Sequence, residues 1–128
     1  MINIFIDIQP LPAPRPRFTR FRATYNPQKY TDYKEQIAFL AKEKVKTPFV
    51  NEVALHLDFF FKYPKCWGAK KKQSISWHTT KPDLDNLIKS ILDALNKVAF
   101  LDDKQVVSIQ ARKQYAASSG VKIELIEI

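Results

Sequence analysis

Residues 2–8, INIFIDI, repeat isoleucine at every second position. Ile2, Ile4, Ile6 and Ile8 fall on one face, the period of a strand with one buried side. The same alternation returns in VALHLDFFF, where Val53, Leu55, Leu57, Phe59 and Phe61 share a face. Between these strands, Tyr33, Ile37, Leu40, Ala41 and Val45 recur at helical spacing, which predicts a surface helix from about Thr31 to Lys46 with Thr31 as its N-cap. A second helical stripe comprises Leu84, Leu87, Ile88, Ile91, Leu92 and Leu95. Pro82 disfavours helix at Lys81, so this helix should begin just after it, with Asp83 near the N-cap. Beyond it, QVVSIQARKQY and VKIELIEI alternate well enough to be strands, and the turn-like AASSG between them predicts an antiparallel hairpin.

The order is therefore β-α-β-α-β-β, an α+β (mixed α/β) fold in which a mixed sheet packs against two helices. The 128 residues suit a single domain spanning 1–128. No run of about 18 apolar residues and no signal-like start is present, which argues against a membrane span and for a cytoplasmic protein. The lone Cys66 has no partner for a disulfide or thiolate zinc site and is expected to be buried or idle. His56 and His78 stand too far apart for a metal-binding pair and are read as structural or surface residues.

Net charge is +8, and its placement says more than its size. Residues 10–30 carry Arg15, Arg17, Arg20, Arg22 and Lys29 without one acid, and residues 62–81 carry Lys62, Lys65, Lys70, Lys71, Lys72 and Lys81, again without one. The rest of the chain is net negative. Both segments are broken by prolines or glycine and therefore read as loops, and both interleave aromatics: Phe18, Phe21, Tyr25 and Tyr30 in one, Tyr63, Trp67 and Trp77 in the other. Such loops suit a polyanion whose phosphates meet the charge and whose bases stack on exposed rings.

The second helix raises a different question. Asp85 and Lys89 lie at i, i+4 along one margin of its apolar stripe, half in and half out of the core, where a rigid element presents groups to a cleft. Aspartates at a helix start ordinarily cap N–H groups, and Asp93 needs no more explanation than an i, i+4 pair with Lys89. Asn86 and the adjacent Asp102 and Asp103, just beyond the helix, are not explained that way. A helix of about 13 residues separates its ends by about 20 Å, so a neighbouring strand must carry Asp102 and Asp103 back. Carboxylates gathered beside basic loops repel one another unless a hard cation is held among them. Oxygen ligands without thiolates or paired histidines select Mg²⁺ or Mn²⁺ over zinc. Metal, carboxylates and a lysine on a nucleic-acid surface point to phosphodiester hydrolysis.

The stretch KPDLDNLIKSILDALNKVAFLDDKQVV, Lys81 to Val107, resembles the signature of RusA-type Holliday junction resolvases: D-x-D-N-x-x-K at a helix start, DAL on the same helix and DD-x-Q-V before the next strand. The N-terminal PRPR is also similar to members from Gram-positive bacteria and phages. The resemblance implies an Mg-dependent crossover junction endodeoxyribonuclease, homodimeric, acting on four-way junctions in recombination and repair. It implies Asp83, Asp85 and Asp103 as catalytic metal ligands, Asp102 as a supporting acid and Lys89 as the essential lysine. Arg15, Arg17, Arg20, Arg22, Lys70, Lys71, Lys72 and Lys81 are then the candidate DNA contacts. The loop Tyr63 to Lys81 is longer and more lysine-rich than in the best-known member. Two other readings stay open on the sequence alone, a nuclease preferring flaps or forks and a branched-DNA binding protein whose acids are structural.

Overall fold

The computed structural model describes residues 1–14, 27–68 and 76–128. Strand β1 (Ile2–Ile6) leads to helix α1 (Pro27–Lys44), strand β2 (Val53–Lys62), helix α2 (Leu84–Leu95), a 3₁₀ turn (Asp103–Gln105), strand β3 (Val106–Ala116) and strand β4 (Gly120–Glu127). The four strands form one mixed sheet in the order β1-β4-β2-β3. Alternate residues of the strands (Ile4 and Ile6; Val53, Leu55, Leu57, Phe59 and Phe61; Val121, Ile123 and Leu125) join Tyr33, Ile37, Leu87, Ile91 and Leu95 of the helices in one core. The opposite sheet face is polar. It carries Asp58 paired with Arg112 at 2.8 Å, and Glu124 reached by His56 at 3.4 Å and by Lys122 at 3.3 Å.

Element order and fold class follow the sequence pattern, but the expected β3–β4 hairpin does not form. β2 lies between the two strands, parallel to β3 and antiparallel to β4. The inner side of β2 is apolar at every alternate position from Val53 to Phe61, and a strand of that kind is buried best with a neighbour on both edges. Residues 117–119 have only to step over the end of β2, a distance of about 10 Å across two strand spacings. At the start of β4 the ring of Phe5 packs so closely over Gly120 that a Cβ there would lie 2.8 Å from a ring carbon.

Helix α1 begins at Pro27, a turn earlier than expected, so Thr31 is an interior residue rather than the cap. Proline suits a first helical turn because it has no N–H to leave unpaired. Tyr30 becomes a buried helix residue.

A short segment after residue 75 lies against the outer edge of β3. Trp77 bridges Gln114, the His78 N–H donates to the Lys113 carbonyl at 3.1 Å, and the Tyr115 N–H donates to the Ser76 carbonyl at 2.9 Å. The His78 ring stacks on Phe61 with centroids 3.9 Å apart, meets Tyr115, and sets Nε2 3.2 Å from the Thr80 hydroxyl. His78 is a structural residue, as expected, whereas Cys66 is exposed. Among the described residues no helix is long and apolar enough to cross a membrane.

Two predictions concern stability. Ile91→Ala, at a fully buried position, should lower the unfolding free energy by about 2–5 kcal/mol in denaturant titrations. Burial, and next the charge of Lys113, hold the His78 imidazole below its ordinary pKa. The unfolded chain therefore takes up the proton first: stability is full above the ordinary imidazole range and is lost as pH falls through and below it. His78→Gln should flatten that acid-side slope in pH-dependent melts, and an unchanged slope would place the titration elsewhere.

Candidate active site

The site is built on α2 and on the chain that returns after it. Leu87, Ile91 and Leu95 anchor the helix in the core, and Ser90 and Ala94 are buried as well. The buried arc thus turns toward α1, and Asp85 and Lys89 come out exposed rather than half-embedded at a margin. Asp83 takes the N-cap position in extended conformation, as expected, and its carbonyl accepts from the Leu87 N–H at 3.2 Å. Its carboxylate makes no capping hydrogen bond. The ordinary structural use of an aspartate at this place is therefore not the one made here. Asp85 Oδ1 accepts the Asn86 N–H at 2.9 Å.

Beside this end of α2 lies a cleft lined by residues 9–13, Lys81, Pro82, Asp83 and Asn86. The Ala13 N–H donates to the Asn86 carbonyl at 2.9 Å, which fastens the start of the first basic segment to the helix. The second basic segment ends at Lys81 on the same cleft. Lys113, an inward-facing residue of β3, holds that end in place through Nζ hydrogen bonds to the carbonyls of Thr80 (2.8 Å) and Pro82 (2.7 Å).

The far end of α2 turns sharply at Lys97, whose φ is 65°. Ala99 and Phe100 are buried, and residues 99–101 exchange backbone hydrogen bonds with Phe49. The acidic turn is then locked from within. Asp102 Oδ1 accepts the Lys104 N–H at 3.0 Å, while Gln105 Oε1 accepts the Asp102 N–H at 2.9 Å. Gln105 Nε2 also donates to the carbonyls of Phe49 (2.8 Å) and Asn51 (2.9 Å). Asp102 and Asp103 thus stand on a clamped turn rather than a loose loop.

That turn brings Asp103 back beside the second half of α2. A hydrogen bond shared with Asp102, then desolvation, then the negative charges of Asp102 and Asp93 push the Asp103 carboxyl above its usual range, against the pull of Lys89. Asp102 is held below its usual range, first by the Lys104 N–H and next by the bond to Asp103. The two neighbouring carboxyls thus pull one another apart in acidity, Asp102 favouring its charged form and Asp103 resisting it. Lys89 Nζ lies 3.5 Å from Asp93 Oδ1, and Asp93 Oδ2 accepts the Tyr30 hydroxyl at 3.2 Å.

The structure therefore groups Asp102, Asp103, Lys89 and Asp93. Asp85 stands one helical turn before Lys89, and Asp83 lies at the cleft. Among the described residues no three acidic or histidine side chains are drawn together into a metal shell. The donor chemistry still fits a hard cation, since every candidate ligand is a carboxylate and Asp102 and Asp103 stand as neighbouring negative charges on one turn. Of the candidate DNA contacts, Lys81 is exposed on the cleft, whereas Arg15, Arg17, Arg20, Arg22, Lys70, Lys71 and Lys72 lie outside the described residues. The expected exposed aromatics are fewer than the sequence implied. Tyr30 is buried and Trp67 packs on Tyr115, while Trp77 is exposed; Phe18, Phe21 and Tyr25 lie outside the described residues. Sequence reasoning gave Asp93 correctly as the i, i+4 partner of Lys89 and missed its second bond, from the Tyr30 hydroxyl. It also missed Tyr30, which lies 63 residues from Asp93, and Lys113.

Comparison with known proteins bears on the chain as a whole. The sequence matches the family described as Endodeoxyribonuclease RusA over residues 7–126. It is 36% identical over 92 residues to the "Crossover junction endodeoxyribonuclease rusA" of Lactococcus phage r1t, covering 71% of this chain and 68% of the relative. It is also 29% identical over 110 residues to the "Uncharacterized protein YqaN" of Bacillus subtilis (strain 168), covering 80% and 78%. With a family match that spans nearly the whole fold, from β1 to β4, the chain belongs to the RusA endodeoxyribonuclease family.

Proposed function

We propose that this chain resolves four-way DNA junctions as a divalent-metal-dependent, structure-selective endonuclease, working as a homodimer that makes paired symmetric incisions. One observation carries the reading: both basic segments are fastened at the end of α2 where Asp83 stands with its carboxylate unused for capping. The resolvase named in Lactococcus phage r1t supports the choice of substrate.

Asp83, Asp85 and Asp103 would hold Mg²⁺ or Mn²⁺, with Asp102 fixing the turn that presents Asp103. The metal would supply Lewis-acid charge at the scissile phosphate and favour deprotonation of the attacking water. Lys89, exposed and beside Asp103, places a fixed positive charge where negative charge grows on the phosphoryl oxygens. Lys81 meets backbone phosphate at the cleft, and Arg15, Arg17, Arg20, Arg22, Lys70, Lys71 and Lys72 extend that contact along the junction arms. Two-fold pairing gives one active site per strand to be cut.

The deciding experiment incubates pure protein with a four-way junction, with and without Mg²⁺. Metal-dependent paired nicks are expected, whereas a gel shift with intact strands would reduce the protein to a junction binder. Asp83→Asn, Asp85→Asn and Asp103→Asn should each fold, bind junction and lose at least about 100-fold in single-turnover cleavage. Lys89→Ala should do the same without losing a metal ligand.

Two further outcomes test the grip and the assembly. Replacing Lys70, Lys71 and Lys72 together by alanine should weaken binding and flatten the slope of log K against log salt by about 0.9 for each phosphate that is no longer neutralised. Sedimentation should show a dimer on junction DNA, and a persistent monomer would remove the paired-incision mechanism.

A further inference from the structure

Lys89 is a long side chain, 62% exposed, and nothing in its own helix fixes where its ammonium sits except Asp93 one turn on. An exposed i, i+4 pair is by itself weak, because both side chains lose rotamer freedom and water screens the charges. Asp93, however, is not free to follow the lysine. Its other oxygen accepts the hydroxyl of Tyr30, whose ring is 8% exposed and anchored in the core from α1. The two oxygens of one carboxylate thus serve two partners, a rigid phenol on one side and a flexible ammonium on the other. The phenol fixes the orientation of the carboxylate, and the carboxylate then tethers the ammonium. Asp103, on the turn that follows the helix, feels the charges of both Asp93 and Lys89, so the tethered ammonium stands within electrostatic reach of the acidic turn. A second cation, Lys34, sits 4.7 Å over the Tyr30 ring and steadies the phenol from the solvent side.

We infer that Tyr30 and Asp93 are positioning residues of the nuclease, which hold the Lys89 ammonium at the acidic turn. The inference rests on the reading of Lys89 as a catalytic group, and it reverses the ordinary reading of Asp93 as a surface helix residue. Tyr30 reaches the site from the other helix, so the seam between α1 and α2 takes part in placing the charge.

The test compares Tyr30→Phe, which keeps the ring and removes only the hydroxyl, with Asp93→Asn, Asp93→Glu and Lys89→Ala. Single-turnover cleavage of a four-way junction in Mg²⁺ is measured together with junction affinity and the NMR signals of the Lys89 ε-protons, assigned by their disappearance in Lys89→Ala. Those protons are inequivalent when the ammonium is held in one place. Tyr30→Phe should slow cleavage about 10-fold and Asp93→Asn about 30-fold or more, each with affinity within about twofold of wild type. In both variants the two Lys89 ε-proton signals should merge, and Asp93→Glu should recover part of both effects. Wild-type rates in Tyr30→Phe and Asp93→Asn, beside an inactive Lys89→Ala, would overturn this inference and leave the active-site assignment standing. Slow cleavage with unchanged Lys89 signals would also overturn it, since the defect would then be structural. Full cleavage by Lys89→Ala would sink the role of Lys89 and the inference together.

Discussion

Parallel pairing between β2 and β3 is the constraint on which the rest of the molecule depends. Two parallel neighbours cannot be joined by a tight turn, so the chain must leave the sheet, cross one face and return to the starting end. Here the crossing runs from Lys62 to Val106 and contains the second basic segment, α2 and the acidic turn in succession. The candidate site is thus carried on a connection that the sheet requires in any case. The apolar side of α2 is fixed by the core, so its opposite side, bearing Asp85 and Lys89, has only one direction to face. The turn that opens β3 is fixed by strand register and by the Gln105 clamp, and Asp103 is delivered beside the middle of the helix rather than beyond its end.

The electrostatics are consistent with that delivery. Asp102 and Asp103 crowd one another, while the two basic segments of the sequence carry the whole positive excess of the chain. Two neighbouring carboxylates repel one another and add nothing to folding by themselves; the turn that holds them is stabilised instead by the Gln105 hydrogen bonds.

Much of this was legible in the residues. Period-2 runs located the strands, the Leu/Ile stripe located α2, and the helix start and the turn after it stand where the sequence put Asp83, Asp85, Lys89 and Asp103. What failed was non-local. AASSG has the composition of a hairpin turn, yet its two flanking strands are separated by β2, because partner choice in a sheet is decided by which strand has the most apolar surface to bury. The stripe also gave too narrow a view of α2. Ser90 and Ala94 carry no hydrophobic signal but are buried, which turns Asp93 toward Tyr30. An aromatic residue in a basic loop looked like a stacking platform, and Tyr30 belongs instead to the helix seam. No local pattern announces a hydroxyl that meets its acceptor 63 residues away.

The way the basic segments are fastened has a consequence for how such a protein can diversify. The first is pinned by the Ala13–Asn86 hydrogen bond and by the start of α1, the second by the Ser76–Tyr115 and His78–Lys113 backbone bonds. Chain between two fixed points can lengthen or shorten at small cost, about 0.6 kcal/mol for each doubling. The basic segments can therefore be altered by insertion, deletion or exchange while the core, the clamp and the carboxylates stay as they are. The charged connections and the acidic turn are separable modules in this fold, open to change at different rates and to recombination between related chains.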